Sequence, residues 1–181
     1  MNFGLKGDFV MYEFEGKKPK IGKETYVSKS ADVIGDVRIG GGCYIGPGAK
    51  IKGDYGAVVI GSFTSVQENC ILHARPSEEL VVGDWVTVGH GSILHNCCVK
   101  DYAVIGMGAI VSDYAEIGIW GVVGEGCVVK QEQKIGDSEI AVGVPAKIVG
   151  KINENYKKEW IRFKEIYVEL AKRYEVGLKK V

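Results

Sequence analysis

An aliphatic residue returns at every sixth position through most of this 181-residue chain. The long runs are Ile21, Val27, Val33, Ile39, Ile45, Ile51 and, later, Val99, Ile105, Val111, Ile117, Val123, Val129, Ile135. Two shorter runs, Ile60–Val66–Leu72 and Val82–Val88–Leu94, stand between them. A period of six is not the helical 3.6, and it contains the alternation of a strand. The β-branched residues at these positions favour short strands, and 26 glycines argue against long helices here. Gly often follows the aliphatic residue, as in Ile39–Gly40 and Ile105–Gly106, where it permits a tight corner. One residue per hexad then enters a common core, three hexads close a triangular coil, and coils stack through backbone hydrogen bonds. The count predicts an all-β repeat, a parallel β-helix of about seven coils, with Val142 and Ile148 as its last steps.

Three steps break the period. Ile51 to Ile60 is nine residues and Leu72 to Val82 is ten, which predicts loops at Gly53–Asp54–Tyr55–Gly56 and Ala74–Arg75–Pro76–Ser77–Glu78–Glu79. Both follow the same column of hexads and therefore share one edge, where a regular scaffold tends to carry function. Leu94 to Val99 is only five, so a corner tightens or the frame slips. After Asn153 the pattern changes. Trp160, Phe163, Tyr167, Leu170 and Tyr174 recur three or four residues apart among Lys and Glu, predicting an amphipathic helix over Glu154 to Glu175 with Gly177 as its stop. The chain thus divides into a β-helix, 1–152, and a helix packed on it, 153–181.

Composition narrows the function classes. Lys+Arg and Asp+Glu both total 23, and no basic patch follows the repeat, which speaks against a nucleic-acid partner. No apolar run approaches the roughly 20 residues of a membrane span. The first ten residues carry Lys6 and Asp8 and no signal-peptide core, so a cytoplasmic location is expected. Five cysteines without a CxxC read as free thiols, with Cys70 a minor candidate ligand through its nearness to His73.

The repeat also sorts the only three histidines. His73 follows Leu72 and His95 follows Leu94 by one residue, in the same column of adjacent coils. Their backbones should lie about 5 Å apart, close enough for two imidazoles to share a metal. His90 follows Val88 by two residues in another column, on another edge of the prism. A threefold trimer resolves this by giving each site His73 and His95 from one chain and His90 from the next. Three neutral imidazoles and an open position suit catalytic zinc, and iron(II) or cobalt(II) would accept the same donors.

These strings resemble the gamma-class carbonic anhydrases: Ile51–Lys52–Gly53–Asp54, Thr64 through His73, Val86 through His95, Ile105–Gly106–Met107–Gly108–Ala109, and Val142–Gly143–Val144–Pro145–Ala146–Lys147. The likeness covers nearly the whole chain, and its most specific part is the His-x16-His-x4-His arrangement. It implies a left-handed coil, a homotrimer with metal sites shared between subunits, and hydration of carbon dioxide to bicarbonate by a hydroxide generated on the metal. It also implies that Gln67 orients hydroxide or bicarbonate, and that Lys52, Asp54 and Glu68 organise charge around the site.

Some positions depart from the family. Lys52 stands where Arg is usual and loses the planar two-pronged grip on a carboxylate. Glu68 replaces the usual Asp. The extended acidic insertion of the most active members is missing, leaving Glu78 and Glu79 as the nearest proton-shuttle candidates. No Tyr or Asn stands in Glu139–Ile140–Ala141–Val142–Gly143. Two alternatives therefore stand beside carbon dioxide hydration: coenzyme A-dependent acyl transfer on the same scaffold, and a non-catalytic metal-binding or assembly role.

Overall fold

The computed structural model describes residues 11–181. The expectations about the first ten residues lie outside that range.

Three columns of short parallel strands wind into a left-handed β-helix of about seven turns. The first column stacks Val33, Ile51, Leu72, Leu94, Val111 and Val129 in register. The second stacks Ile21, Ile39, Ile60, Val82, Val99, Ile117 and Ile135. The third stacks Val27, Ile45, Val66, Val88, Ile105, Val123 and Ala141. All but Ile21 of these side chains are buried in one continuous core, and Ile21 packs against it. The five-residue step is a tightened corner and not a slip. Asn96 takes a left-handed φ of 46° there, and Val99 stays in register with Val82 and Ile117.

Two expectations need correction. Gly53–Asp54–Tyr55–Gly56 is not a loop but the middle of one extended strand, Lys50–Ile60, which turns a corner beside Asp32–Ile39. Gly53 is required for this crossing, because a Cβ there would sit 2.3 Å from the Asp36 carbonyl oxygen. The repeat also ends earlier than its aliphatic residues suggested. Ala141 is the last core residue of the third column, whereas Val142 and Ile148 are exposed. Lys147–Lys151 runs antiparallel to Glu139–Val142 and closes the end of the coil.

The helix spans Glu154–Gly177, and the Asn153 side chain caps it by accepting the Tyr156 N–H. Tyr167 and Tyr174 pack on Tyr44, with ring centroids 5.5 and 5.6 Å apart, and Tyr174 also reaches Tyr26. The buried stripe is offset from the expected one. Lys164 and Ala171 are buried, whereas Phe163 is exposed. The Lys164 amine donates to Thr87 Oγ1 and to the Ala103 carbonyl, 3.1 Å each, and lies 5.8 Å from the Trp120 and Trp160 ring centres. Burial pushes this amine down to about 7. Among the described residues no helix is long and apolar enough to cross a membrane.

Candidate metal centre

The first column presents two histidines side by side. Its strands are in register, so Lys52, His73 and His95 stand as neighbours on successive coils. In each strand the aliphatic residue before the histidine turns inward, and alternation sends the histidine out. The rings of His73 and His95 are 5.3 Å apart, and His73 Nδ1 faces His95 Nε2 at 3.3 Å.

Each histidine spends its other ring nitrogen on a carboxylate. His73 Nε2 bonds Asp54 Oδ1 at 2.9 Å, and Lys52 Nζ holds the second Asp54 oxygen at 2.9 Å. Desolvation pushes the Asp54 carboxyl up, but the bonds from Lys52 and His73 outweigh it and hold it below the usual range. His95 Nδ1 makes a short bond to Asp113 Oδ1, while Arg75 Nε reaches Asp113 Oδ2 at 3.2 Å. An ionised carboxylate only accepts, so the proton lies on His73 Nε2 and on His95 Nδ1. In the neutral form of both rings, the two nitrogens that face each other are then both bare. Two lone pairs opposed at 3.3 Å repel, and a cation between them removes the conflict. The separation also fits a metal: two nitrogens at 2.0–2.1 Å in a tetrahedral site are about 3.3 Å apart.

The third face carries the remaining predicted residues. His90, Gln67 and Glu68 lie together there, on the strands around Val66 and Val88. Glu68 Oε1 accepts the Tyr44 hydroxyl proton at 2.8 Å, and Glu68 Oε2 lies 2.5 Å from His90 Nδ1, off the line of a good hydrogen bond. Burial, then the bond to Glu68, pushes the Tyr44 phenol up, so that it stays a donor. Gln67 and His90 rim a pocket of about 680 Å³ between this face and the helix, with Met107, Val122, Ile140 and Phe163 in its walls. Within a single chain, the described residues bring no three His, Cys, Asp or Glu groups together as a metal site.

Cys70 plays no part in the site. It faces the core, its Sγ donates to the Gly89 carbonyl at 3.1 Å, and burial pushes its thiol up to about 11. All five cysteines are free. Glu78 and Glu79 are already engaged: Glu78 accepts from Tyr114 and Asn96, and Glu79 pairs with Arg38. Sequence reasoning missed Asp113 and Arg75. The column rule offered a signal, since Asp113 stands two residues past Val111, in the coil next to Leu94–His95.

A left-handed β-helix with paired, carboxylate-backed histidines on one face and a third on another defines a hexapeptide-repeat protein. The family described as bacterial transferase hexapeptide (six repeats) matches residues 18–53. A carbonic anhydrase of Geobacillus kaustophilus is 38% identical over 166 residues, 92% of this chain and 91% of that protein. The carnitine operon protein CaiE of Escherichia coli is 34% identical, covering 92% of this chain and 85% of that one. A crystal structure of a putative acetyltransferase from Bacillus cereus superposes with a TM-score of 0.91 at 37% identity, covering 93% and 98% of the two chains. The chain belongs to the gamma-class carbonic anhydrase family of hexapeptide-repeat proteins.

Proposed function

We propose that this protein is a metal-dependent carbonic anhydrase, active as a homotrimer in which each site takes His73 and His95 from one chain and His90 from the next. The observation that carries the proposal is the facing pair of ring nitrogens, His73 Nδ1 and His95 Nε2, at a separation that suits a shared tetrahedral metal. Zinc is the expected ion, with iron(II) and cobalt(II) compatible with the same nitrogen donors. When bound with one position open, the metal lowers the pKa of a coordinated water toward 7.

The chain's own residues hold and orient. Asp54, anchored by Lys52, keeps the proton of His73 on Nε2 and leaves Nδ1 free. Glu68, anchored by Tyr44, sits against His90 Nδ1 and favours presentation of the opposite nitrogen. The Gln67 amide, beside His90 at the pocket rim, offers both a donor and an acceptor to the oxygens of carbon dioxide and bicarbonate. The apolar walls next to it suit an uncharged substrate better than its charged product.

Two apolar surfaces support the trimer. Ile71, Ile93, Ile110 and Val128 form an outward stripe on the first face, directly beside His73 and His95. The pocket next to His90 is apolar as well. Joining one surface to the other is a heterologous contact, which closes into a ring when the rotation allows it.

Metal analysis and stopped-flow carbon dioxide hydration test the proposal, with His90→Ala as control. One metal per subunit with hydration that depends on His90 is expected. Metal-free protein, or hydration indifferent to His90, contradicts it. The acyl-transfer alternative needs one histidine as base and no metal, so it predicts activity that survives chelation.

A further inference from the structure

We propose that Asp113, held by Arg75, is a positioning residue that fixes which ring nitrogen of His95 faces the metal. For the effect on metal affinity, the inference rests on the metal reading above. For the effect on the imidazole proton, it does not.

The stacked histidines sit in a chain of contacts with matching ends. On one side Lys52 anchors Asp54, and Asp54 takes the proton of His73. On the other, Arg75 anchors Asp113, and Asp113 takes the proton of His95. Asp113 is the better shielded member of its ion pair, with a side chain 16% exposed against 48% for Arg75. A carboxylate in this place can only accept, so it selects the Nδ1–H form of His95 and turns Nε2 toward His73. Without it, a free imidazole distributes its proton between both nitrogens and its ring can rotate.

The loop that carries Arg75 is itself pinned. The Arg75 backbone N–H donates to Asn96 Oδ1 at 3.1 Å. Glu78 accepts the Tyr114 hydroxyl proton at 2.9 Å and a proton of the Asn96 amide. The Arg75 guanidinium lies over the Tyr114 ring, 5.8 Å from its centre. Asn96 and Tyr114 directly follow His95 and Asp113 in the chain. The ten-residue step between Leu72 and Val82 thus brings an arginine onto the carboxylate behind the metal ligand.

Nitrogen-15 NMR of histidine-labelled, metal-free protein reads the proton directly, and zinc titration against a competing chelator reads the affinity. In the wild type His95 should carry its proton on Nδ1. Asp113→Ala should give a mixture of both forms at His95, leave His73 unchanged, and weaken zinc by about 10–100-fold. Asp113→Asn keeps an acceptor oxygen and should restore the Nδ1–H form at least in part. Arg75→Gln changes a half-exposed side chain, so it tests the same contact should Asp113→Ala fail to fold, and a smaller loss of zinc affinity is expected. An unprotonated Nδ1 in the wild type, or an unchanged His95 pattern in both Asp113→Ala and Arg75→Gln, overturns the proposal. A wild type that binds no zinc sinks the metal reading, and the nitrogen pattern still decides the role of Asp113.

Discussion

His73 Nδ1 and His95 Nε2 face each other at 3.3 Å while a carboxylate holds the far nitrogen of each ring. Register alone brings the rings together; the carboxylates decide which atoms meet. Replacing either histidine with Ala should therefore weaken zinc more than loss of a supporting carboxylate does, beyond about 100-fold. Circular dichroism should stay unchanged, because both side chains project away from the core. Competition with a chelator measures the loss, and retained wild-type affinity would refute the ligand assignment.

The apolar stripe on the first face should be needed for assembly and not for folding. Ile110 is exposed on the single chain, so Ile110→Asp should shift sedimentation from trimer to monomer while the strand signal persists. Metal should be lost with the trimer. The same change at Val59, on the second face, should leave the trimer intact.

Gly53 should tolerate no side chain. A Cβ would meet backbone and not a flexible side-chain end, so relief requires moving the Lys50–Ile60 strand that carries Asp54. Gly53→Ala should cost roughly 1–3 kcal/mol in denaturant unfolding. It should also weaken metal binding, because Asp54 moves away from His73.

Lys164 should make stability depend on pH in a definite direction. Its amine is pushed down to about 7 in the fold, below its ordinary value of 10.5, by burial. Between those values the unfolded chain binds more protons, so stability rises with pH; below the folded value both states are charged and the penalty is fully present. From pH 6 to 8 the gain should be about 1.4 kcal/mol at fixed protein concentration. The indole faces of Trp120 and Trp160 favour the charged amine and reduce that figure somewhat. Lys164→Met should remove the rise, and the difference between the two proteins cancels the histidines that titrate in the same window. A wild type and variant with parallel pH profiles would contradict the assignment.

Much of this arrangement was legible as a ruler. The sixfold count stacked Lys52, His73 and His95 and sent His90 to another face, but it left the five-residue step open between a tightened corner and a slip until the structure placed Asn96 there. It failed where one residue type served two roles. Val142 and Ile148 carry the aliphatic signature but lie outside the core, because Ala141 already fills the last position of the third column and the chain then turns back as an antiparallel strand. Lys164 was hidden for the opposite reason: a lysine in an aromatic stripe reads as solvated, and only Thr87 and Ala103, far away in sequence, make its burial tolerable. Asp113 needed the ten-residue loop to be folded before Arg75 could be seen to reach it. Nor does the spacing of histidines say which nitrogen each one presents, since that follows from side-chain contacts across coils.

Complementation between two defective chains tests the shared site most directly. His90→Ala keeps His73 and His95, and His73→Ala keeps His90, so each variant alone should lack both bound metal and carbon dioxide hydration. When the two are unfolded together in equal amounts and refolded, about one quarter of the sites should pair an intact His73–His95 face with an intact His90 from the neighbour. Return of about that fraction of metal and activity is the predicted result. No recovery from mixed trimers of normal size would contradict a site divided between subunits.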